Sequence, residues 1–154
     1  MRIVIIILSA FFLLASCGKD KFTTEPQLVF LDLKPNFDSS THPIQLKEFS
    51  PKLILEVRDA EGDIGASSSG ALSKVYIKNL SSNFIDSFPF PAIGSGTGKN
   101  FKAEVDVNMF DCMDCLNRPR PYVDTTYYEV FVTDFAGNRS NVIATTKALY
   151  FLCL

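Results

Sequence analysis

Apolar and polar residues alternate with a period of two through most of the chain beyond residue 26, and this pattern is typical of half-buried β-strands. Seven segments carry it and are lettered A to G in chain order: 27–34, 52–58, 73–80, 84–88, 100–107, 126–133 and 141–151. In segment B, Leu53, Leu55 and Val57 fall on one face of the strand, and charged residues fall on the other. The pattern predicts an all-β fold, a two-sheet antiparallel immunoglobulin-like sandwich of about seven strands.

The connections between these strands should gather at two poles of the sandwich, because consecutive antiparallel strands run in opposite directions. The end of B, the start of C, the end of F, the start of G and the start of A fall at one end, which we call the BC/FG pole. It holds residues 59–65 (the BC loop) and 133–141 (the FG loop). The E–F connection and the end of G fall at the opposite pole.

A different apolar pattern, without alternation, begins the chain. Residues 3–14 form an apolar run within the length of a signal-peptide core and too short to span a bilayer. The run ends in Leu14-Ala15-Ser16-Cys17, which resembles the lipobox of bacterial lipoproteins. The resemblance implies cleavage before Cys17 and attachment of acyl chains such as palmitate to it. The alternative is an ordinary cleavable signal followed by an unrelated cysteine.

These features predict three parts: a lipoprotein signal peptide at 1–16, a lipidated tether at 17–26 and an immunoglobulin-like β-sandwich domain at 27–154. Two or three acyl chains on Cys17 would hold the protein on membrane lipid almost permanently, since a single chain binds only reversibly. Gly18 stands where some lipoproteins carry an aspartate for inner-membrane retention. That resemblance favours the outer membrane, with the periplasmic or the surface face left open.

Charge and motifs narrow the classes of function. Cleavage after residue 16 would remove Arg2 and leave 14 basic against 17 acidic side chains, a formal charge of −3 without a basic cluster. Nucleic acid is therefore not an expected partner. No Gly-x-Ser-x-Gly motif occurs, and the single histidine, His42, has no nucleophile motif near it. The chain is not expected to be an enzyme or to require a cofactor.

Acidic residues are concentrated in the two loops of the BC/FG pole. Asp59, Glu61 and Asp63 are spaced two residues apart in the BC loop, and the FG loop offers Asp134 and Asn138. Hard cations such as calcium take six to eight oxygen ligands, many of them carboxylates, so these five residues form a candidate calcium site. The alternative is that the same side chains only hydrogen-bond their own turns.

The two loops also carry a resemblance. Asp59-Ala60-Glu61-Gly62-Asp63-Ile64-Gly65 after an apolar strand, followed by a segment 132–141 that reads Val-Thr-Asp-Phe-Ala-Gly-Asn-Arg-Ser-Asn, resembles single-domain bacterial lipoproteins with an immunoglobulin-like fold. It implies the fold and a lipid-anchored place in the cell envelope. We expect a non-catalytic binding or structural accessory that uses the BC and FG loops as its interaction surface, with an envelope protein or glycan as partner. The rival interpretations are a calcium-dependent adhesion or assembly module and, from another class, an envelope hydrolase.

The cysteines predict one disulfide. Of the 4 cysteines, Cys17 would carry lipid, which leaves Cys112, Cys115 and Cys153 in an oxidising compartment. The E–F connection and the end of G share a pole, so Cys153 should pair with Cys112 or Cys115; a bond between Cys112 and Cys115 is the alternative. Zinc is less favoured because a structural site needs four ligands.

Overall fold

A computed structural model describes residues 22–34, 51–65, 72–90 and 98–154. In these ranges the chain forms the strands β1 (Gln27–Lys34), β2 (Lys52–Asp59), β3 (Lys74–Asn79), β4 (Ile85–Pro89), β5 (Phe101–Asn108), β6 (Tyr122–Thr126), β7 (Tyr128–Thr133), β8 (Ile143–Ala144) and β9 (Leu149–Cys153). A single 3₁₀ turn, Phe110–Cys112, follows β5. No helix within the described ranges is long and apolar enough to cross a membrane. The predicted signal and lipobox, including Cys17, lie outside them.

The strands form antiparallel sheets. One sheet has the order β1-β2-β5, a second has β4-β3-β7-β8, and β6 pairs with β9. The chain passes back and forth between the first two sheets: β1 and β2 lie in the first, β3 and β4 in the second, β5 again in the first, and β7 and β8 again in the second. The all-β, antiparallel sandwich predicted from the alternation is confirmed.

The core is built from the inward positions of the central strands. In β2, Leu53, Leu55 and Val57 are each 0% exposed. The inward residues of β3 and β7 are buried to the same degree, and they are Val75, Ile77, Tyr128, Val130 and Val132. Burying an aliphatic or aromatic side chain of this size contributes about 1.5–3 kcal/mol before the loss of conformational entropy. The two sheets are therefore held together by burial of the apolar side chains that the alternation turns inward.

Segments F and G differ from their predicted form. The predicted strand 126–133 begins only at Tyr128, and a separate strand, β6, precedes it. Sequence alternation does not reveal β6, because its two buried positions are polar, Asp124 and Thr126. Segment G is divided at Thr145, whose hydroxyl accepts from the Tyr128 backbone N–H at 3.1 Å. After that point the chain leaves β7 and pairs with β6 as β9.

The pole opposite the BC/FG pole is closed by a disulfide and a buried hydrogen bond. Cys115 in the E–F connection is bonded to Cys153 at the end of β9, one of the two pairings expected for Cys153. Cys112 is buried with a free thiol, and burial raises its pKa to about 12. The Tyr128 hydroxyl donates to the Cys112 carbonyl at 3.2 Å. The last strand is therefore tied to the chain that leaves β5.

Removing this disulfide should destabilise the domain strongly. The bonded cysteines are 38 positions apart, so in the chain-entropy model replacing both Cys115 and Cys153 by serine should lower the free energy of unfolding by about 4 kcal/mol. Cys112→Ala is the control, because it removes a thiol that takes no part in the bond. Urea unfolding of the full chain measures the loss. Peptide mapping without reductant that finds Cys112 linked to either other cysteine would contradict the assignment.

Candidate metal centre at the BC/FG pole

The burial of Asp59 follows from the alternation of β2. Leu53, Leu55 and Val57 face the interior, so the next position of the same parity must face it as well. That position is Asp59, the last residue of the strand, which is 0% exposed. A carboxylate is thus placed at the end of the sandwich interior by the same register that builds the core.

Asp134 reaches the interior from the other sheet in the same way. Tyr128, Val130 and Val132 are the inward residues of β7, and Asp134 continues their parity just beyond the strand. It is 4% exposed. Because β2 and β7 belong to different sheets, one acid arrives from each side of the sandwich. The spacing of acids within the BC loop does not single out these two residues. The parity of the strand positions, also present in the sequence, identifies Asp59 and Asp134 as the two inward acids.

The BC loop folds back on the Asp59 carboxylate. Its Oδ2 accepts from the backbone N–H of Gly62 and, at 3.0 Å, from that of Asp63. Gly62 has a φ of 71°, a left-handed conformation that glycine adopts without steric cost. The turn returns the chain so that Asp63 lies beside Asp59. The loop is then joined to the FG loop, because the Phe135 N–H donates to the Asp63 carbonyl at 3.1 Å.

In the FG loop, Asn138 positions Asp134. The Asn138 backbone N–H donates to Asp134 Oδ1 at 2.8 Å, and its side-chain amide donates to Oδ2 at 2.9 Å. The Asp134 N–H returns a bond to the Asn138 carbonyl at 3.1 Å. This is ordinary turn chemistry for Asp and Asn, and it holds the Asp134 carboxylate in one orientation.

Three of the four predicted acids converge, and the fourth, Glu61, does not join them. One carboxylate oxygen from each of Asp59, Asp63 and Asp134 lies within 4.8 Å of the others, a group we call the acid triad. Asn138 hydrogen-bonds both oxygens of the Asp134 carboxylate. Glu61 is exposed and accepts a hydrogen bond from the Thr24 hydroxyl at 3.0 Å, in the segment that precedes β1.

Two oxygens in the acid triad are buried without a hydrogen-bond partner among the described residues, Asp59 Oδ1 and Asp63 Oδ1. Burying a carboxylate oxygen without a partner is unfavourable. The pKa of Asp59 reflects this cost. It is raised from 3.8 to about 6, and the largest cause is burial, which disfavours the charged carboxylate. The negative charge of Asp63 also raises the pKa of Asp59, whereas the hydrogen bonds from the backbone N–H groups of Gly62 and Asp63 lower it.

An open groove of about 460 Å³ lies at the same pole. It is lined by residues between Thr23 and Val29, together with Arg58 and Asn141. The Asn141 side chain bonds both the N–H and the carbonyl of Leu28, at 2.8 and 3.0 Å, so the FG loop fixes the start of β1. The FG loop therefore contributes to both features, Asn141 to the groove and Asp134 to the acid triad.

Comparisons of the chain with protein-family models, curated proteins and solved structures give no match. Relatives therefore supply no residue roles for this site.

The metal-free domain should lose stability as the pH rises through the pKa of Asp59. A carboxyl whose folded pKa is raised contributes stability that is complete below its unfolded value, 3.8, and is lost by about pH 6. Relative to Asp59→Asn, which can still accept the loop N–H bonds but does not titrate, the free energy of unfolding should fall by about 1–3 kcal/mol. Urea unfolding in chelator between pH 4 and pH 7 measures it. Parallel profiles for the two proteins would contradict the assignment.

Proposed function

We propose that the chain is an exported, lipid-anchored binding protein of the cell envelope, that it catalyses no reaction, and that the BC/FG pole is its working surface. The lipobox resemblance at Cys17 supports the anchor, and Gly18 in the place of a retention aspartate favours the outer membrane. The groove supports the choice of pole, since it is an open concave surface lined by Asn141 of the FG loop and by Arg58, the residue that precedes the BC loop. The partner is an envelope protein, with an envelope glycan as the alternative.

The observation that carries the proposal is the place where the N-terminal segment joins the domain. The Ala60 N–H donates to the Thr23 carbonyl at 3.2 Å, so this segment lies against the BC loop. Thr24 bonds Glu61, and the Gln27 amide bonds the Thr23 hydroxyl at 3.0 Å. The tether thus enters at the BC/FG pole, and its last residues help to line the groove.

The length of the tether then limits how far this pole can stand from the membrane. Cys17 and Phe22 are five residues apart in the sequence, and five fully extended residues span at most about 18 Å. A lipid on Cys17 would therefore hold the BC/FG pole close to the bilayer surface. A partner that uses this pole is best sought among proteins embedded in, or lying on, the same membrane.

Anchoring is tested by Cys17→Ser. The lipid requires the thiol sulfur, so this variant should incorporate no fatty acid and should keep its signal peptide. Metabolic labelling with a palmitate analogue, followed by a gel that separates precursor from mature protein, measures both. Cys112→Ser is the control, because it removes a different cysteine and leaves the N-terminus intact. Label that persists on the Cys17→Ser protein would contradict the anchor.

The working surface is tested by photo-crosslinking in whole cells. A photoreactive amino acid is placed at Ala136, exposed in the FG loop, or at Asn117, exposed near the disulfide at the opposite pole. Crosslinks to a membrane protein are expected from Ala136 and not from Asn117. If Asn117 alone gives adducts, or if both positions give the same adducts, the choice of pole is wrong.

A further inference from the structure

We propose that the acid triad, Asp59, Asp63 and Asp134, binds a calcium ion that joins the BC loop to the FG loop. The inference deepens the proposed function, on which it rests, by naming the ion that holds the working surface together. Its three ligands come from two loops about seventy residues apart in the chain, and the fold brings them to one point.

The separation of the carboxylate oxygens fits calcium. Calcium–oxygen distances are about 2.3–2.6 Å, so two ligands on opposite sides of one ion stand about 4.6–5.2 Å apart. The three oxygens of the acid triad lie within 4.8 Å of one another, which allows all three to contact one ion. Magnesium keeps several of its waters and is usually held by one or two carboxylates, so a site that offers three carboxylates favours calcium.

A buried oxygen of Asp59 that accepts no hydrogen bond from any described residue also points to a bound cation. The side chain is completely buried, its Oδ2 is engaged by two backbone N–H groups, and its Oδ1 has no hydrogen-bond partner among the described residues. A surface acid that merely closes a turn would leave its second oxygen in water. A cation bound between Asp59 and Asp63 offsets the cost of burying these oxygens and their mutual repulsion.

The donor chemistry selects a hard cation. The acid triad offers oxygen only, whereas zinc and the softer metals favour histidine and cysteine. Three carboxylates provide fewer ligands than calcium accepts, so water and backbone carbonyls would complete the shell. A site of this kind, built on loops, should bind with a Kd of about 0.1–1 mM, the range of extracellular modules.

A bound ion would stiffen the working surface. Asp59 ends β2 of the three-stranded sheet and Asp134 follows β7 of the four-stranded sheet, so one ion would link the two sheets at this pole. The Phe135–Asp63 backbone bond already joins the loops, and Asn141 carries the connection to the start of β1 beside the groove. The ion would thus fix the groove in one shape.

The alternative occupant of the acid triad is a proton shared between Asp59 and Asp63, and the experiment separates the two. The full-length chain, purified in detergent and stripped with chelator, is titrated with CaCl₂ and, separately, MgCl₂ by calorimetry and by thermal melting. Wild type is compared with Asp63→Asn and with Glu61→Gln. The second variant is the matched control, because it removes one charge from the same loop at a side chain outside the triad.

Wild type and Glu61→Gln should bind one calcium, and 10 mM calcium should raise their melting temperatures by about 5–10 °C if Kd is about 0.1 mM. Asp63→Asn should bind about tenfold more weakly or worse, while melting slightly higher than wild type in chelator because one repulsive charge is gone. Asp134→Asn serves in its place if Asp63→Asn does not fold.

Three results would overturn the inference: no calcium binding up to 10 mM, equal responses to calcium and magnesium, or equal losses in Glu61→Gln and Asp63→Asn. A shared proton alone would give identical melts in calcium and chelator, with a rise only at acid pH. None of these results depends on crosslinking or on lipid labelling. Failure of the calcium site and failure of the proposed function therefore remain distinguishable.

Discussion

The period-two register of the two central strands is the constraint on which the rest of the molecule depends. In β2 and β7 it turns one set of side chains inward to form the core, and each strand then carries one acid in the same parity beyond its last apolar residue. Asp59 and Asp134 are consequently buried as a result of how the core is built. A shift of either strand by one residue would expose the core and move the acid outward together.

The two poles of the sandwich are closed by different means. At one pole a disulfide between Cys115 and Cys153 ties the last strand to the E–F connection, and the buried Tyr128 hydroxyl bonds the Cys112 carbonyl. At the other pole, hydrogen bonds of the BC and FG loops surround carboxylates that repel one another. The disulfide-bonded pole is held by a bond that does not depend on metal ions, whereas the acidic pole depends on pH and, in our proposal, on calcium.

The sequence predicted those parts of the fold that rest on apolar alternation, and failed where inward positions are polar. β2 and β7 were found because their inward residues are apolar, whereas β6 was missed because Asp124 and Thr126 occupy its buried positions. For the candidate site, the two-residue spacing of the acids in the BC loop gives no reason to separate Glu61 from Asp59 and Asp63 as a ligand. In the structure Glu61 accepts a hydrogen bond from Thr24, which lies 37 residues earlier in the chain, and no local sequence pattern predicts such a contact.

The most direct test of the account is a crystal structure of the domain grown with 10 mM calcium. We expect electron density for one ion among the carboxylates of Asp59, Asp63 and Asp134, with oxygen ligands at about 2.3–2.6 Å and Glu61 outside the coordination shell. An empty site in which Asp59 and Asp63 share a short hydrogen bond, or an acid triad that has opened toward solvent, would contradict the proposal that a cation occupies this pole.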